Sequence, residues 1–160
     1  LLDMTNIDDI GEQVAISLDE MFEDILSELT PLASARNITL SLSCQDCVAK
    51  GNLDLLYRAF YNLVENGIKY NKENGSVTVE VKKMQNGKVE INIKDTGIGI
   101  PNEMKKHIFE PFFRVNKSRS RSMGGAGLGL AMTEQIIRKH NGTITVSDNI
   151  NSGSCFTIIL

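Results

Sequence analysis

The chain lacks any long apolar run. No stretch approaches the roughly 18 to 20 apolar residues that a membrane-spanning helix needs, and no signal-peptide pattern stands at its start. Lysine and arginine number 17 against 20 aspartates and glutamates, which gives a formal net charge of −3. This slight excess of acid gives no support to nucleic-acid binding. We therefore expect no nucleic-acid partner and no direct membrane contact.

Cysteine is scarce, with three residues in the chain. Cys44 and Cys47 have the spacing of a redox motif or of half a zinc site. A zinc site needs a second pair of ligands, and both histidines lie far away in the sequence. We interpret the pair as two cysteines at the end of a strand in a reducing cytosol. Cys155 alternates with Phe156 in a terminal strand, and we expect it in the core.

What is present fits one globular domain. The 160 residues are 41% hydrophobic, which is ordinary for a chain with a real core. The chain begins with Leu1 and not with methionine, so we expect a fragment of a longer protein. Residues 1–10 read as the remnant of a preceding helical domain or linker, and residues 11–160 as the domain itself.

Hydrophobic periodicity predicts three main helices. The first begins at Leu18; Pro31 ends or kinks it, and residues 32–36 can continue it. The second is capped by Asn52 or Asp54 and runs to about Tyr70. The third spans 126–140, and Pro101 suits a short helix over 101–107. Alternating residues predict strands over 12–17, 37–44, 76–84, 88–94, 143–146 and 155–160. We predict an α+β fold, a two-layer sandwich of a mixed, mainly antiparallel sheet packed on helices.

The second helix carries a polar stripe beside its apolar one. Asn62, Asn66 and Lys69 recur at i, i+4 and i+7. An amide oxygen suits Mg²⁺, and a lysine suits phosphate as a point charge. Tyr70, near the helix end, can lay its ring against a base. The alternative is a solvated helix face with no ligand.

Three further segments add to this pattern. Asp95 ends a strand and can accept a hydrogen bond from an exocyclic amine, while Gly97 and Gly99, before Ile100, let a ligand approach the backbone. Phe109 and Phe112 are expected to pack on the core, ahead of Arg114. A basic run over 117–121 precedes a glycine-rich helix start, where free N–H groups form an anion site. The residues of that start are Gly125, Gly127, Leu128 and Gly129.

Together these segments resemble the catalytic, ATP-binding domain of bacterial sensor histidine kinases (HATPase_c, the Bergerat or GHKL fold) over nearly the whole chain. The resemblance implies that Asn66 binds Mg²⁺, that Asp95 reads the adenine amino group, and that the basic run is a lid over the triphosphate. The implied catalytic residues are Asn66, Lys69 and Arg114. Gly67 stands where the family has alanine, and Asn116 where it often has aspartate.

The resemblance also implies ATP and Mg²⁺ as cofactors and donation of the γ-phosphoryl group to a histidine. That histidine would belong to a separate dimerisation domain of the same kinase, with a response regulator downstream. His107 and His140 are the only histidines here, and we interpret both as structural. We expect a cytoplasmic domain of a membrane-anchored parent, unable to phosphorylate itself alone.

Two other functions remain open. Hydrolysing ATPases of the gyrase, MutL and heat-shock chaperone group carry a glutamate one helical turn before the metal-binding asparagine, where this chain has Asn62. A regulatory module, such as an anti-sigma-like kinase or a nucleotide-binding pseudoenzyme, is the second alternative. Anti-sigma kinases have a glutamate in the asparagine motif and a shorter lid than 114–124.

Overall fold

The computed structural model describes residues 9–114 and 129–160. Its helices are α1 (Leu18–Ser34), α2 (Leu53–Lys69) and α3 (Gly129–Lys139). Its strands are β1 (Val14–Ser17), β2 (Thr39–Cys44), β3 (Val48–Gly51), β4 (Ser76–Lys83), β5 (Val89–Asp95), β6 (Thr143–Asp148) and β7 (Ser154–Ile159). Within these residues, no helix combines the length and the apolar character needed to cross a membrane.

Five strands form the main sheet, in the order β2-β4-β5-β7-β6. The β2–β4 pair is parallel, and the other three pairs are antiparallel. A parallel pair needs a long crossover, and here β3 and α2 lie between the two strands in the chain. The sheet is therefore mixed and mainly antiparallel, which confirms the predicted α+β class.

The helices cover one face of this sheet. Phe22 of α1 and Phe60 of α2 stack with ring centroids 4.9 Å apart. Strands β4 and β5 alternate strictly between buried and half-buried residues over most of their length, as expected where one face meets the core. The apolar stripe of α2 that the sequence predicts is buried: Leu56, Ala59, Phe60, Leu63 and Val64.

A second, two-stranded sheet was not predicted. It pairs β1 with β3 in antiparallel register, with Ile16 opposite Ala49. β3 has four residues, including a lysine and a glycine, and so carries too short an alternating pattern to stand out. Its partner lies more than thirty residues earlier in the chain, so the pairing depends on the tertiary fold.

α1 continues past Pro31, where the sequence left open an end, a kink or a continuation over 32–36. The helix runs to Ser34 with Pro31 inside. Leu29 and Ala33, on either side of the proline, are both 2% exposed. Burial of these flanking residues holds the chain helical although the proline removes one backbone hydrogen bond.

The short helix predicted over 101–107 is smaller in the structure. A 3₁₀ turn at Asn102–Met104 is followed by turns, and Pro101 makes no side-chain cap hydrogen bond. Neither the turn nor its flanks bury a residue before Ile108. A helix this short needs a buried face to persist, which explains why it stops after one turn.

The three cysteines are free. Cys155 is buried, but alternation in β7 puts it on the sheet face away from Phe156, where its thiol lies 3.6 Å from Asn92 Oδ1. Burial, with the Asp19 carboxylate adding to it, raises the pKa of the Cys44 thiol to about 11. Thiolate is then scarce at neutral pH, which disfavours redox chemistry at Cys44.

Candidate functional site

Helix α2 presents the predicted polar stripe beside its buried face. Its N-cap is Asn52, whose Oδ1 accepts from Leu55 N at 3.0 Å. Asn62, Asn66 and Lys69 are all half-buried. Lys69 Nζ lies 3.6 Å from Glu65 Oε1, one turn earlier. The Asn66 amide has no hydrogen-bond partner among the described residues, so it is available to a ligand.

Asn62 serves as a bridge between α2 and α3. Its Nδ2 donates to Thr133 Oγ1 at 3.1 Å, and Thr133 is fully buried. A Cβ added at Gly129 would lie 2.6 Å from Asn62 Oδ1. Glycine is therefore needed where α3 begins, because its backbone passes directly over the asparagine. Thr133 was not predicted from the sequence.

Asp95 lies at the end of β5, with its carboxylate enclosed. Its Oδ1 accepts from Gly97 N at 2.9 Å and from Ser154 N at 3.2 Å, and its Oδ2 accepts from Ser154 Oγ at 2.9 Å. Burial raises the pKa of the Asp95 carboxyl, while these three hydrogen bonds oppose the rise. A carboxylate oxygen has two acceptor positions, so Oδ2 keeps one beside Ser154.

The glycines after Asp95 allow close packing with α2 and β7. A Cβ at Gly97 would lie 2.3 Å from the Tyr70 carbonyl oxygen. Gly99 has φ +73° and lies against Gly153. Ile100 is half-buried against the core. The backbone over 96–100 is thus held between the end of α2 and the turn that precedes β7.

That turn, over 149–153, also supports Asp95. Asn149 Nδ2 donates to the Asp95 carbonyl oxygen at 2.8 Å, and Ser152 Oγ donates to the Thr96 carbonyl oxygen at 2.9 Å. The sequence indicated only a polar turn here. Neither these contacts nor the role of Ser154 had a local signal, because each joins residues more than fifty positions apart.

Gly67 brings α2 against the end of β5. A Cβ at this position would lie 3.6 Å from Asp95 Cβ and 3.2 Å from Val77 Cγ2. Asn66, the preceding residue, therefore lies on the same helical turn that packs beside Asp95. The departure from alanine creates a close helix–sheet contact and removes no polar group.

The segment from Phe109 to Arg114 differs from its prediction at one aromatic residue. Phe109 packs edge-on to Phe156 with centroids 6.2 Å apart. Phe112 is 68% exposed, with φ +67°, so the prediction that it packs on the core is wrong. Phe113 packs there in its place, because the turn reverses which aromatic ring points inward. Arg114 is half-buried.

Several predicted residues lie outside the part of the chain that the structure describes. They are Gly125, Gly127, Leu128, Asn116 and the basic run over 117–121. Gly129, at the start of α3, is the only residue of the predicted glycine-rich helix start within the described ranges. The lid and the anion-binding loop remain predictions.

Both histidines make local contacts. The backbone N–H of Asn52 donates to His140 Nε2 at 3.0 Å, and His140 Nδ1 lies 2.7 Å from the Ile136 carbonyl oxygen. Since an N–H only donates and a carbonyl only accepts, this geometry requires neutral His140 with its proton on Nδ1. His107 Nδ1 lies 2.7 Å from Glu110 Oε1. Both sets of contacts support a structural role.

The chain matches known proteins along most of its length. The family model described as histidine kinase-, DNA gyrase B-, and HSP90-like ATPase matches residues 51–160. The sensor histidine kinase RppB of Synechocystis sp. is 42% identical over 145 residues, covering 89% of this chain and 32% of that protein. The signal transduction histidine-protein kinase ArlS of Staphylococcus aureus is 33% identical over 162 residues, covering 99% of this chain and 36% of that protein. The chain thus spans about a third of the length of these relatives.

Solved structures share the fold. The mycobacterial sensor histidine kinase MprB superposes with a TM-score of 0.82 at 29% identity, over 93% of this chain and 97% of that one. ShkA, solved in complex with AMPPNP, gives 0.82 at 20% identity, over 98% and 32%. ThkA, solved in complex with the response regulator protein TrrA, gives 0.77 at 24% identity, over 92% and 41%. The last two show the fold alone.

The matched residues include Asn66 on α2, Asp95 at the end of β5 and Gly129 at the start of α3. They follow one another in the order expected from the sequence resemblance. By this match and this architecture, the chain belongs to the histidine kinase-, DNA gyrase B- and HSP90-like ATPase family, as a catalytic domain of the sensor histidine kinase type.

Proposed function

We propose that this domain binds Mg²⁺-ATP and donates the γ-phosphoryl group to a histidine on a separate helical dimerisation domain. The single observation that carries the proposal is the enclosed Asp95 carboxylate beside α2. Its Oδ2 has an acceptor position left for an exocyclic amine, and the adjacent helical turn holds the available Asn66 amide. A purine nucleotide with a metal-bound phosphate tail fits this pair of groups.

Residues near the end of α2, together with Arg114, would contact the metal ion and the phosphate groups of the nucleotide. Asn66 would hold Mg²⁺ through its amide oxygen, since Mg²⁺ takes oxygen ligands and keeps several waters. Lys69 would contact phosphate oxygens, and Arg114 would add a second cation. When bound, ATP supplies the phosphoryl group and Mg²⁺ neutralises phosphate charge. The protein contributes mainly position and charge.

Position 62 favours phosphoryl transfer over hydrolysis. A hydrolysing relative needs an acid here to activate water. The Asn62 side chain is a neutral amide that cannot take a proton from water, and it is already hydrogen-bonded to Thr133. Glu65 lies on the flank of the stripe and pairs with Lys69. Water activation therefore has no base at the position where the ATPases carry one.

The remaining assignments follow from the same proposal. The nucleotide site would also include Asn62, Tyr70, Gly97, Gly99 and Ile100. Residues 11–160 would form the ATP-binding domain and 1–10 a linker from the dimerisation domain, although Ile10 is buried and its carbonyl accepts from Asn52 Nδ2 at 2.6 Å. A response regulator would act downstream, as the complex of ThkA with TrrA illustrates. The domain would lie in the cytoplasm of a membrane-anchored kinase.

Transfer of label tests the proposal directly. The chain is incubated with γ-labelled ATP and Mg²⁺, alone and with the separately produced dimerisation domain of the same kinase. We expect acid-labile, base-stable label on the added domain and none on this chain, because both of its histidines are held in structural contacts. Stable label on this chain would contradict the claim that it cannot phosphorylate itself. Absence of label on the added domain, when ATP binds, would contradict histidine phosphorylation.

Asp95 should select adenine over guanine. Its carboxylate accepts from the adenine amino group, whereas guanine presents a carbonyl oxygen, so two acceptors would face each other. An unpaired buried polar group costs on the order of 1–3 kcal/mol. GTP should therefore bind at least about tenfold more weakly than ATP. Competition binding measures the ratio, and equal affinities in the parent chain would show that Asp95 does not read the base.

The Asp95→Asn change should reduce the difference between ATP and GTP affinity without unfolding the domain. An asparagine oxygen can keep both N–H contacts at Oδ1, and its amide can donate to Ser154 Oγ. The raised pKa of Asp95 means that its contribution to stability is present below pH about 3.8 and is lost as the pH rises through the folded value. The variant should therefore be at least as stable as the parent at pH 7. This advantage should shrink below pH 4, and chemical denaturation at both pH values checks it.

A further inference from the structure

Arg36, Asn71 and Thr96 form a polar cluster, here called the junction. Arg36 and Asn71 lie outside the motifs that the sequence resemblance assigns, and Thr96 lies between Asp95 and Gly97. Arg36 precedes β2, Asn71 follows α2, and Thr96 follows β5. The junction therefore joins the end of the helix that carries Asn66 and Lys69 to the loop that follows Asp95. These are the two ends of the nucleotide site.

Arg36 binds the carbonyl end of α2. Its Nη1 donates to the carbonyl oxygens of Ile68 at 2.7 Å and Lys69 at 2.8 Å, and its Nη2 donates to that of Asn71. The last carbonyls of a helix have no partner within the helix, and a cation there also favours the helix dipole. The planar guanidinium contacts two of these helix carbonyls and the Asn71 carbonyl just beyond the helix at once, which a lysine ammonium cannot reproduce.

Asn71 extends the contact to β4 and β5. It is fully buried, and its Nδ2 donates to the Ser76 carbonyl oxygen at 2.9 Å. Its Oδ1 accepts from Thr96 Oγ1 at 3.0 Å, and Thr96 Oγ1 accepts in turn from Ser76 N at 2.9 Å. The junction is thus a satisfied network, which is rigid because each partner's geometry is fixed by another.

We propose that the junction is a positioning element that sets the spacing between the phosphate end of the site on α2 and the base end at Asp95. The inference rests on the proposed function. ATP engages both ends simultaneously, so its affinity depends on their relative placement, and displacement by about 1 Å can change a positioned reaction by about 100-fold. Adenosine engages only the base end and is insensitive to that spacing. Arg36 and Thr96 are positioning residues that do not touch the nucleotide.

Two pairs of variants test the inference. Arg36→Met removes all five donors at similar length, and Arg36→Lys keeps the charge without the fork. Thr96→Val removes the hydroxyl at constant shape, and Thr96→Ser restores it. We expect Arg36→Met and Thr96→Val each to weaken Mg²⁺-ATP binding about tenfold. Adenosine binding should change less than about twofold. Thr96→Ser should bind both ligands as the parent does. The affinity of Arg36→Lys for Mg²⁺-ATP should lie between those of the parent and Arg36→Met.

The control is Ile158→Val, which removes one buried methylene from β7, outside the junction, and should lower the stability of the domain slightly. Calorimetry measures ATP affinity and NMR titration measures adenosine affinity, under conditions in which every variant is fully folded. Thr96→Val covers the case in which Arg36→Met does not fold. Parent-like ATP affinity in the folded variants, or equal losses for ATP and adenosine, would overturn the inference. Failure of the parent chain to bind ATP would instead remove the proposed function on which the inference rests.

Discussion

Replacement of Asn66 by alanine should lower the affinity for Mg²⁺-ATP by at least the roughly 10- to 100-fold that loss of a partner around a bound metal ion typically costs. The side chain makes no hydrogen bond within residues 9–114 and 129–160, so its removal leaves no described group unpaired. Alanine is also the better helix former. The fold should therefore survive, and the loss should belong to the ligand. Calorimetry in excess Mg²⁺ measures it.

The metal dependence separates this role from a general effect on α2. In excess EDTA, Asn66→Ala and the parent should bind ATP equally, because the ligand to the metal then contributes nothing. Arg58→Ala, at an exposed position two turns earlier on the same helix, serves as the control and should keep parent affinity in both conditions. An Asn66→Ala variant that binds Mg²⁺-ATP as the parent does would remove Asn66 from the metal site.

Gly153→Ala should destabilise the domain by about 3 kcal/mol or more, an amount typical of severe overpacking against an immobile neighbour. A Cβ at Gly153 would lie 2.0 Å from the Asp95 carbonyl oxygen, and its φ is +90°. The clash is with backbone in a central strand and cannot be relieved by a side-chain rotation. Chemical denaturation compares its free energy of unfolding with that of the parent.

Gly87→Ala is a matched control, because Gly87 has φ +85° and nothing within 4 Å of an added Cβ. It carries the same backbone strain of about 1 kcal/mol without the clash. The difference between the two variants therefore measures packing against Asp95. Equal destabilisation would mean that the turn over 149–153 moves freely, and that it does not hold the carboxylate in place. The folded fraction of the Gly153→Ala variant should also bind ATP more weakly than the parent does.

Much of the site could be predicted because its signals are local. The helical spacing of Asn62, Asn66 and Lys69 needs only the 3.6-residue period, and α2 presents the three residues as that period predicts. Asp95 could be identified because glycines follow it directly after an alternating strand. The main elements were found for the same reason, since each buries a continuous face. β3 was missed because four residues are too few to show a period.

Phe112 shows where local reasoning fails. Three aromatic residues in five positions indicate packing, but they do not say which ring points inward. The positive φ at Phe112 turns its side chain into solvent and leaves the inward position to Phe113. Such a conformation is rare for a bulky residue, so no propensity argument from the sequence could have selected it.

By itself, the sequence determined the class of fold, the order of the motifs and the chemistry of the polar residues, because these follow from residue type and short-range period. The tertiary structure alone decided what surrounds them. Ser154 meets Asp95 across 59 residues of chain, and Arg36 meets the end of α2 across 32 to 35. Contacts at this separation form when buried faces pack against each other, and such contacts produce no pattern along the chain. The enclosure of Asp95 and the junction beside it are therefore properties of the folded domain.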